Sequence, residues 1–169
     1  MACALIMLAG CASGPDDRAR SNVLSRADEE ALNRQAGIEV AQAHGGIHMR
    51  LPEVVLFEFN QANLRPDADP VLSRSAALLN RSSKPISVEG HSDNIGSRER
   101  NAKLSTERAE VVGRAVIGRG VAASRISYQG HGFDRPVASN DTAAGRALNR
   151  RTEIFLKGET MDTLMGSTQ

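Results

Sequence analysis

Tryptophan is absent, tyrosine occurs once (Tyr128), and aromatic residues make up only 3% of the 169-residue chain. So few flat rings exclude a base-stacking surface or an aromatic-rich interface. An excess of charge of one sign is also lacking. The 21 Lys and Arg against 20 Asp and Glu leave a formal net charge of +1. That balance argues against bulk phosphate neutralisation and so against nucleic acid as a partner. Cysteine is nearly missing: the only two, Cys3 and Cys11, lie at the start, so the rest of the chain has no thiol for a disulfide. No internal repeat is visible. Hydrophobic residues at 40% and charged residues at 24% fall in the globular range, which excludes wholesale disorder.

The apolar run Ala2 to Gly10 is followed by Cys11 and then by the polar segment Ala12 to Arg20. A transmembrane helix needs roughly 20 apolar residues, so this run spans about half a bilayer and has the length of a secretory signal core. Leu8-Ala9-Gly10-Cys11 resembles the lipobox of bacterial lipoproteins. The resemblance implies a diacylglycerol on the Cys11 thiol, cleavage before it and acylation of the new amino terminus. Several acyl chains anchor a protein stably where one does so only marginally. Ala12 rather than Asp follows Cys11, which by the same resemblance implies sorting to the outer membrane. No Lys or Arg precedes the run, a departure that points to Met1 as an internal start.

Three zones are expected after residues 1–10. Residues 11–46 are polar and Ala-rich. Within them Val23 to Val40 has a thin apolar stripe (Leu24, Ala27, Ala31, Ile38) and reads as a flexible or marginally helical linker. Residues 47–157 form the domain, and residues 158–169 a flexible tail. Inside the domain Val54 to Phe59 reads as a strand. Asp69-Pro70 opens a helix whose Val71, Leu72, Ser75, Leu78 and Leu79 share one face. Ile86 to Glu89 alternates into Gly90, a long helix spans about Glu99 to Ile117, and Ile126 to Gln129 alternates again. A short helical turn near Thr142 to Leu148 precedes a last strand, Arg151 to Leu156. The order predicts an α/β sandwich of βαβαβ type, one mixed sheet against two main helices with a short helix before the final strand.

Leu104, Val111, Val112 and Ala115 define the expected buried stripe of the long helix, and Arg108 falls on that stripe. A guanidinium facing a core is costly unless something satisfies it. Asp93, in the loop Gly90-His91-Ser92-Asp93-Asn94-Ile95-Gly96, is the nearest candidate in topology. The two residues form either a salt bridge that fixes the loop or a socket for a zwitterion. In the socket, Asp93 takes an ammonium and Arg108 grips a carboxylate bidentately.

Gly90 to Gly96, followed by Asn101, Leu104-Ser105 and Arg108-Ala109, resembles the signature of OmpA-like C-terminal domains. Those domains occur in peptidoglycan-associated lipoproteins and flagellar stator proteins. Phe57 to Leu64 and Gly145 to Ile154 match the family's first strand and closing segment, so about 110 residues are covered by separated motifs in the expected order. Glu58 stands where Asp is common, and Ser92 where Thr or Ala is common. The resemblance implies non-covalent binding of peptidoglycan through the diaminopimelate of the stem peptide. Asp93 and Arg108 would hold its ammonium and carboxylate. Asn101 and Leu104 would line the pocket, and Phe59 and Asn60 would add contacts from the end of the first strand.

His91-Ser92-Asp93 also juxtaposes a His, a hydroxyl and a carboxylate. Sequence neighbours rarely converge on one point, and His44, His48 and His131 have no ligand-like spacing with His91, so neither a hydrolase nor a metal centre is expected. Asn149 and the arginines around it, Arg146, Arg150 and Arg151, read as a turn cap whose cations pair with acids, the alternative being a contact with an anionic glycan or phosphate. The expected whole is a non-enzymatic, cofactor-free lipoprotein of the outer membrane, its domain in the periplasm and gripping the cell wall. The alternative is a docking subunit of a larger envelope complex, with other envelope proteins as partners.

Overall fold

The computed structural model describes residues 24–58 and 60–167. The expectations placed on residues 1–10, Cys11 and Phe59 therefore lie outside the described residues.

The sheet has five strands: β1 (Glu39–Ala43), β2 (Gly46–Pro52), β3 (Ile86–His91), β4 (Ile126–Gly130) and β5 (Arg151–Lys157). Their spatial order is β1-β2-β5-β3-β4. Only β3 and β4 run parallel, and the helix α4 (Arg98–Ile117) makes the crossover between them. The last strand, β5, is thus the centre of the sheet, antiparallel to β2 and β3. Ile47, Met49 and Leu51 of β2, Ile86 and Val88 of β3, and Ile154 and Leu156 of β5 alternate onto one face and are fully buried or nearly so. Two main helices cover that face, α4 and α3 (Asp69–Leu79), the latter through Val71, Leu72, Ala76, Leu78 and Leu79. The architecture is the expected α/β sandwich.

Several boundaries differ from the sequence reading. Over its described residues, Val54 to Glu58, the expected strand does not form. Pro52 ends β2, and Glu53–Leu56 makes the single-turn helix α2, leaving Val54 74% exposed while Leu56 is buried. Phe57 keeps one bridge, to Leu64. The strand of this region lies a few residues earlier, in Gly46–Pro52, where apolar residues alternate with polar ones rather than forming a run.

The expected linker also contains folded structure. Ser25 opens the helix α1 (Arg26–Ala36) with a reciprocal capping box. Its hydroxyl accepts from Asp28 N at 3.3 Å, and the Asp28 carboxylate accepts from Ser25 N at 3.2 Å. Gly37 closes the helix with φ of 73°, a left-handed conformation that favours glycine. The buried residues of α1 are Glu29 and Asn33, not apolar ones. Glu29 pairs with Arg74 of α3 and, at 2.8 Å, with Arg81. Asn33 Oδ1 accepts from Arg74 Nε at 2.7 Å. A helix docked by ion pairs gives a weak hydrophobic stripe, which is why periodicity undervalued it.

The same applies beyond Gly158. Met161–Met165 forms a short helix after the Thr160 cap, with Leu164 and Met165 buried against α1 and α3. Arg81 Nη1 donates to Leu164 O at 2.7 Å. Among the described residues, packed structure from Ser25 to Met165 therefore lies past both expected limits of 47 and 157. Three further helices complete the order among the described residues: 3-10 turns at Pro66–Ala68 and Ala123–Arg125 lead into α3 and β4, and α5 (Ala143–Asn149) precedes β5.

Candidate functional site

The buried face of α4 is Asn101, Ser105, Arg108, Ala109, Val112, Gly113 and Val116. Of the expected stripe only Val112 is fully buried; Leu104, Val111 and Ala115 lie at its margins. The rotation has a steric cause. A Cβ on Gly90 of β3 would come within 1.9 Å of Ser105 O, and one on Gly130 of β4 within 2.2 Å of Thr106 Oγ1. The helix lies so close to the sheet that only small side chains fit there, so its seam is small rather than greasy.

Arg108 is nonetheless on the buried face, 3% exposed. Its Nε donates to Gln61 O at 2.9 Å, an Nη2 hydrogen bond and ion pair holds it to Glu53, and its guanidinium lies over the Phe57 ring, 5.1 Å from the centroid. Gln61 belongs to the turn after Phe57, in which Asn60 adopts a left-handed φ of 59°. Arg108 thus ties the 57–64 loop and α2 to the long helix.

Asp93 sits in the loop leaving β3. Its Oδ1 accepts from Ile95 N at 3.0 Å, and Asn101 Nδ2 donates to Ile95 O at 2.9 Å, so the loop is pinned to the first turn of α4. Ser97 caps that turn by accepting from Arg100 N at 3.2 Å. Asp93 does not pair with Arg108. Its Oδ2 accepts from Arg150 Nη1 at 2.8 Å, while Arg150 Nε lies 3.0 Å from Glu53 Oε2. Four charges of alternating sign therefore stand in a row: Asp93, Arg150, Glu53, Arg108.

These residues line one cavity of about 310 Å³ together with Asn60, Asn101 and Leu104. Of the expected site residues, Asp93, Arg108, Asn101, Leu104 and Asn60 converge there; Phe59 lies outside the described residues. Glu53 and Arg150 were missed. Glu53 follows a proline in an otherwise apolar stretch, and nothing in sequence separates a buried acid from a solvated one. Arg150 lies within the closing motif, where the arginines read as capping a turn and pairing with acids; it does pair with acids, Asp93 and Glu53, but its place in the cavity was not foreseen. Asn149 does serve that turn, accepting from Val137 N at 2.8 Å and Ala138 N at 3.0 Å. Arg100 and Arg146 also face the cavity, giving four arginines against two acids. Such a lining favours a ligand that carries carboxylate, held by donors on Arg108 while Asp93 offers an acceptor to a cation.

The residues that match the OmpA family model, 56–150, span more than half of the chain and carry every residue of this cavity except Glu53. The chain belongs to the OmpA family. The outer-membrane lipoprotein YfiB of Pseudomonas aeruginosa is 36% identical over 153 residues, covering 90% of this chain and 87% of that protein. The probable lipoprotein YiaD of Escherichia coli is 40% identical over 124 residues, 73% of this chain and 57% of YiaD. The chain spans only 16% of a longer relative from Gloeobacter violaceus. Among solved structures, the cell wall anchor of the type VI secretion system from Pseudomonas aeruginosa superposes with a TM-score of 0.69 at 32% identity, covering 78% of this chain and 95% of that one. The OmpA-like resemblance read from the four motifs is thus established, and so is the fold it implied.

The opposite face of the sheet carries a second polar cluster. His91 is buried between Glu153, 4.0 Å away, and the His131 ring, 5.2 Å between centroids. Burial first, and then the neighbouring charge of Arg151, pushes its pKa down to about 3. His131 Nε2 lies 2.9 Å from Glu89 Oε2. Burial opposes ionisation of Glu153, but the hydrogen bond and charge of Arg151 outweigh it and hold the carboxyl below its ordinary value. Among the described residues no group of three or more His, Cys, Asp and Glu is placed to hold a metal ion.

Proposed function

We propose that this protein is an outer-membrane lipoprotein that tethers the membrane to the cell wall. Acyl chains on Cys11 hold one end, and the domain grips peptidoglycan non-covalently through the diaminopimelate of the stem peptide. The observation that carries this reading is the placement of Asp93 and Arg108 in one cavity, each facing an ionic partner of opposite charge. The free end of diaminopimelate carries an ammonium and a carboxylate on one carbon, and Asp93 and Arg108 are matched to them in that order. Leu104 packs against the aliphatic chain, and Asn60 and Asn101 border it. Binding alone does the work; no bond is made or broken.

Co-sedimentation with purified diaminopimelate-type sacculi tests the wall contact, using the chain from Ala12 onward and its Asp93→Ala variant. Removing one partner of a desolvated charge contact costs about 2–5 kcal/mol, or roughly 30- to several-thousand-fold in affinity. Wild type pellets and the variant stays in solution; pelleting of both, or of neither, refutes the socket. Cys11→Ser tests the anchor: the variant leaves the membrane fraction, and retention there refutes lipidation at Cys11.

The likeness to a secretion-system wall anchor favours a second reading, in which the domain is the wall-binding subunit of a larger envelope complex. Co-purification of stoichiometric partners from membranes at native abundance separates this reading from a free-standing tether.

A further inference from the structure

We infer that Glu53 and Arg150 form a built-in competitor that occupies the cavity in the ligand's absence and sets its selectivity for a zwitterion. The inference rests on the reading of Asp93 and Arg108 given above. Arg150 presents a cation to Asp93 at 2.8 Å, where the ligand's ammonium is expected, and Glu53 presents a carboxylate to Arg108, where the ligand's carboxylate is expected. The two stand-ins are 3.0 Å apart, Arg150 Nε to Glu53 Oε2, so the chain supplies an internal copy of the ligand's charge pair.

This arrangement has three physical consequences. Arg108 and Glu53 are both nearly excluded from water, and an isolated buried ion is strongly unfavourable, so the competitor keeps the empty cavity neutralised and the fold independent of ligand. The competitor is also held loosely enough to exchange. Among the described residues Glu53 Oε2 is buried and makes no hydrogen bond beyond its 3.0 Å ion pair with Arg150, and the Arg150 side chain is 32% exposed. Finally, the exchange balances in charge only for a ligand bringing both signs. Such a ligand releases Arg150 from Asp93 and Glu53 from Arg108 together, and the released pair still neutralises itself. A ligand with an ammonium alone takes Asp93 but leaves Glu53 seated on Arg108, so it gains nothing from that arginine.

The test is the affinity of wild type, Glu53→Gln and Arg150→Gln for two soluble muropeptides, one with diaminopimelate and one with lysine, which lacks the side-chain carboxylate. Thermal melting of each variant runs alongside. Glu53→Gln should melt lower when empty yet bind the diaminopimelate peptide about tenfold tighter, the equivalent of one charge-assisted hydrogen bond no longer exchanged. It should gain nothing for the lysine peptide. Arg150→Gln relieves Asp93 and should tighten both peptides; it decides the matter if Glu53→Gln fails to fold. A purely structural pair predicts the reverse, with affinity falling alongside stability. Unchanged or weaker binding of the diaminopimelate peptide in the folded variants overturns the competitor. If wild type binds and Asp93→Ala does not, the wall reading survives that failure. If wild type itself does not bind the diaminopimelate peptide, both fall.

Discussion

Arg150 Nη1 lies 2.8 Å from Asp93 Oδ2, and this contact, not one with Arg108, is the ion pair that Asp93 makes in the free protein. The sequence placed Asp93 and Arg108 in one cleft but could not say whether they would satisfy each other. They do not. Each lines the cavity and is neutralised by a residue outside the pair, the arrangement that the proposed exchange with a ligand requires.

Asp93 and Arg108 should therefore respond differently to truncation, although both variants should lose the wall. The Asp93 side chain and its Arg150 partner are partly exposed, so Asp93→Ala costs about 1 kcal/mol of stability. Arg108→Ala leaves Glu53 as a buried carboxylate, takes a donor from Gln61 O and costs about 3 kcal/mol. Urea unfolding of the two variants checks the order. Equal losses would mean that Glu53 does not depend on Arg108.

Glu29 should be worth about as much as a core residue, although it lies in what reads as linker. It is 3% exposed and holds Arg74 and Arg81 of the α3 region to α1. Burial works against its ionisation, but the hydrogen bonds from Arg81 and Arg74 more than offset that and keep its carboxyl below the ordinary value. Glu29→Ala should cost about 2–3 kcal/mol, less than a fully enclosed pair because Arg81 is partly solvated. A chain beginning at Ile47 loses α1 and β1 altogether and bares the backbone edge of β2, which should drive association. Light scattering of that shortened chain against the chain from Ala12 is the check.

How much of this was legible in the sequence depended on what kind of interaction held each element. Strands β3, β4 and β5 and helices α3 and α4 were readable because hydrophobic alternation, glycine stops and a cap mark them. Helix α1 was legible only as a marginal helix and the Met161–Met165 helix not at all, since α1 docks through Glu29 and Asn33 and the second is too short to show a period. Val54 to Phe59 misled because β-branched residues resemble a strand, whereas Pro52 and the inward pull on Glu53 turn the chain there. At the site, Arg108 was conspicuous as a charge on a buried face. Glu53 and Arg150 were invisible because their meaning is relational: each matters only through a partner about 55 or more residues away in the chain.

Gly90 should tolerate no side chain, and its replacement should disturb the site as well as the fold. The helix carrying Arg108 approaches β3 so closely that an added methyl group meets the Ser105 backbone at 1.9 Å. Backbone cannot swing aside as a flexible side chain does, so α4 must shift outward as a whole. Gly90→Ala should cost about 2–4 kcal/mol. It should also weaken binding, because Asn101, Leu104 and Arg108 ride on the same helix. Melting temperature and sacculus binding measured on one sample check both; a variant of wild-type stability refutes the close approach.

Acid should weaken the fold through His91 before it titrates the paired carboxylates. Both ring nitrogens of His91 are buried with no hydrogen-bond partner among the described residues, and burial followed by the charge of Arg151 lowers its pKa from 6.5 to about 3. Glu153 draws it the other way, while His131 and Arg135 add to the depression. In the unfolded chain the same imidazole takes up its proton near pH 6.5. Between pH 6.5 and about 3 the unfolded state therefore binds the extra proton, and stability falls as pH drops, by up to about 1.4 kcal/mol per pH unit. From pH 6.5 to 4.5 that amounts to roughly 2–3 kcal/mol. Below 4.5, Glu153 and Glu29, whose carboxyls are held low in the fold, add a further loss as they are forced to protonate. Urea midpoints at pH 7, 5.5 and 4.5 measure the slope, and His91→Gln should flatten it above pH 4.5 while leaving the steeper fall below. An unchanged slope in that variant would assign the acid sensitivity to groups other than His91.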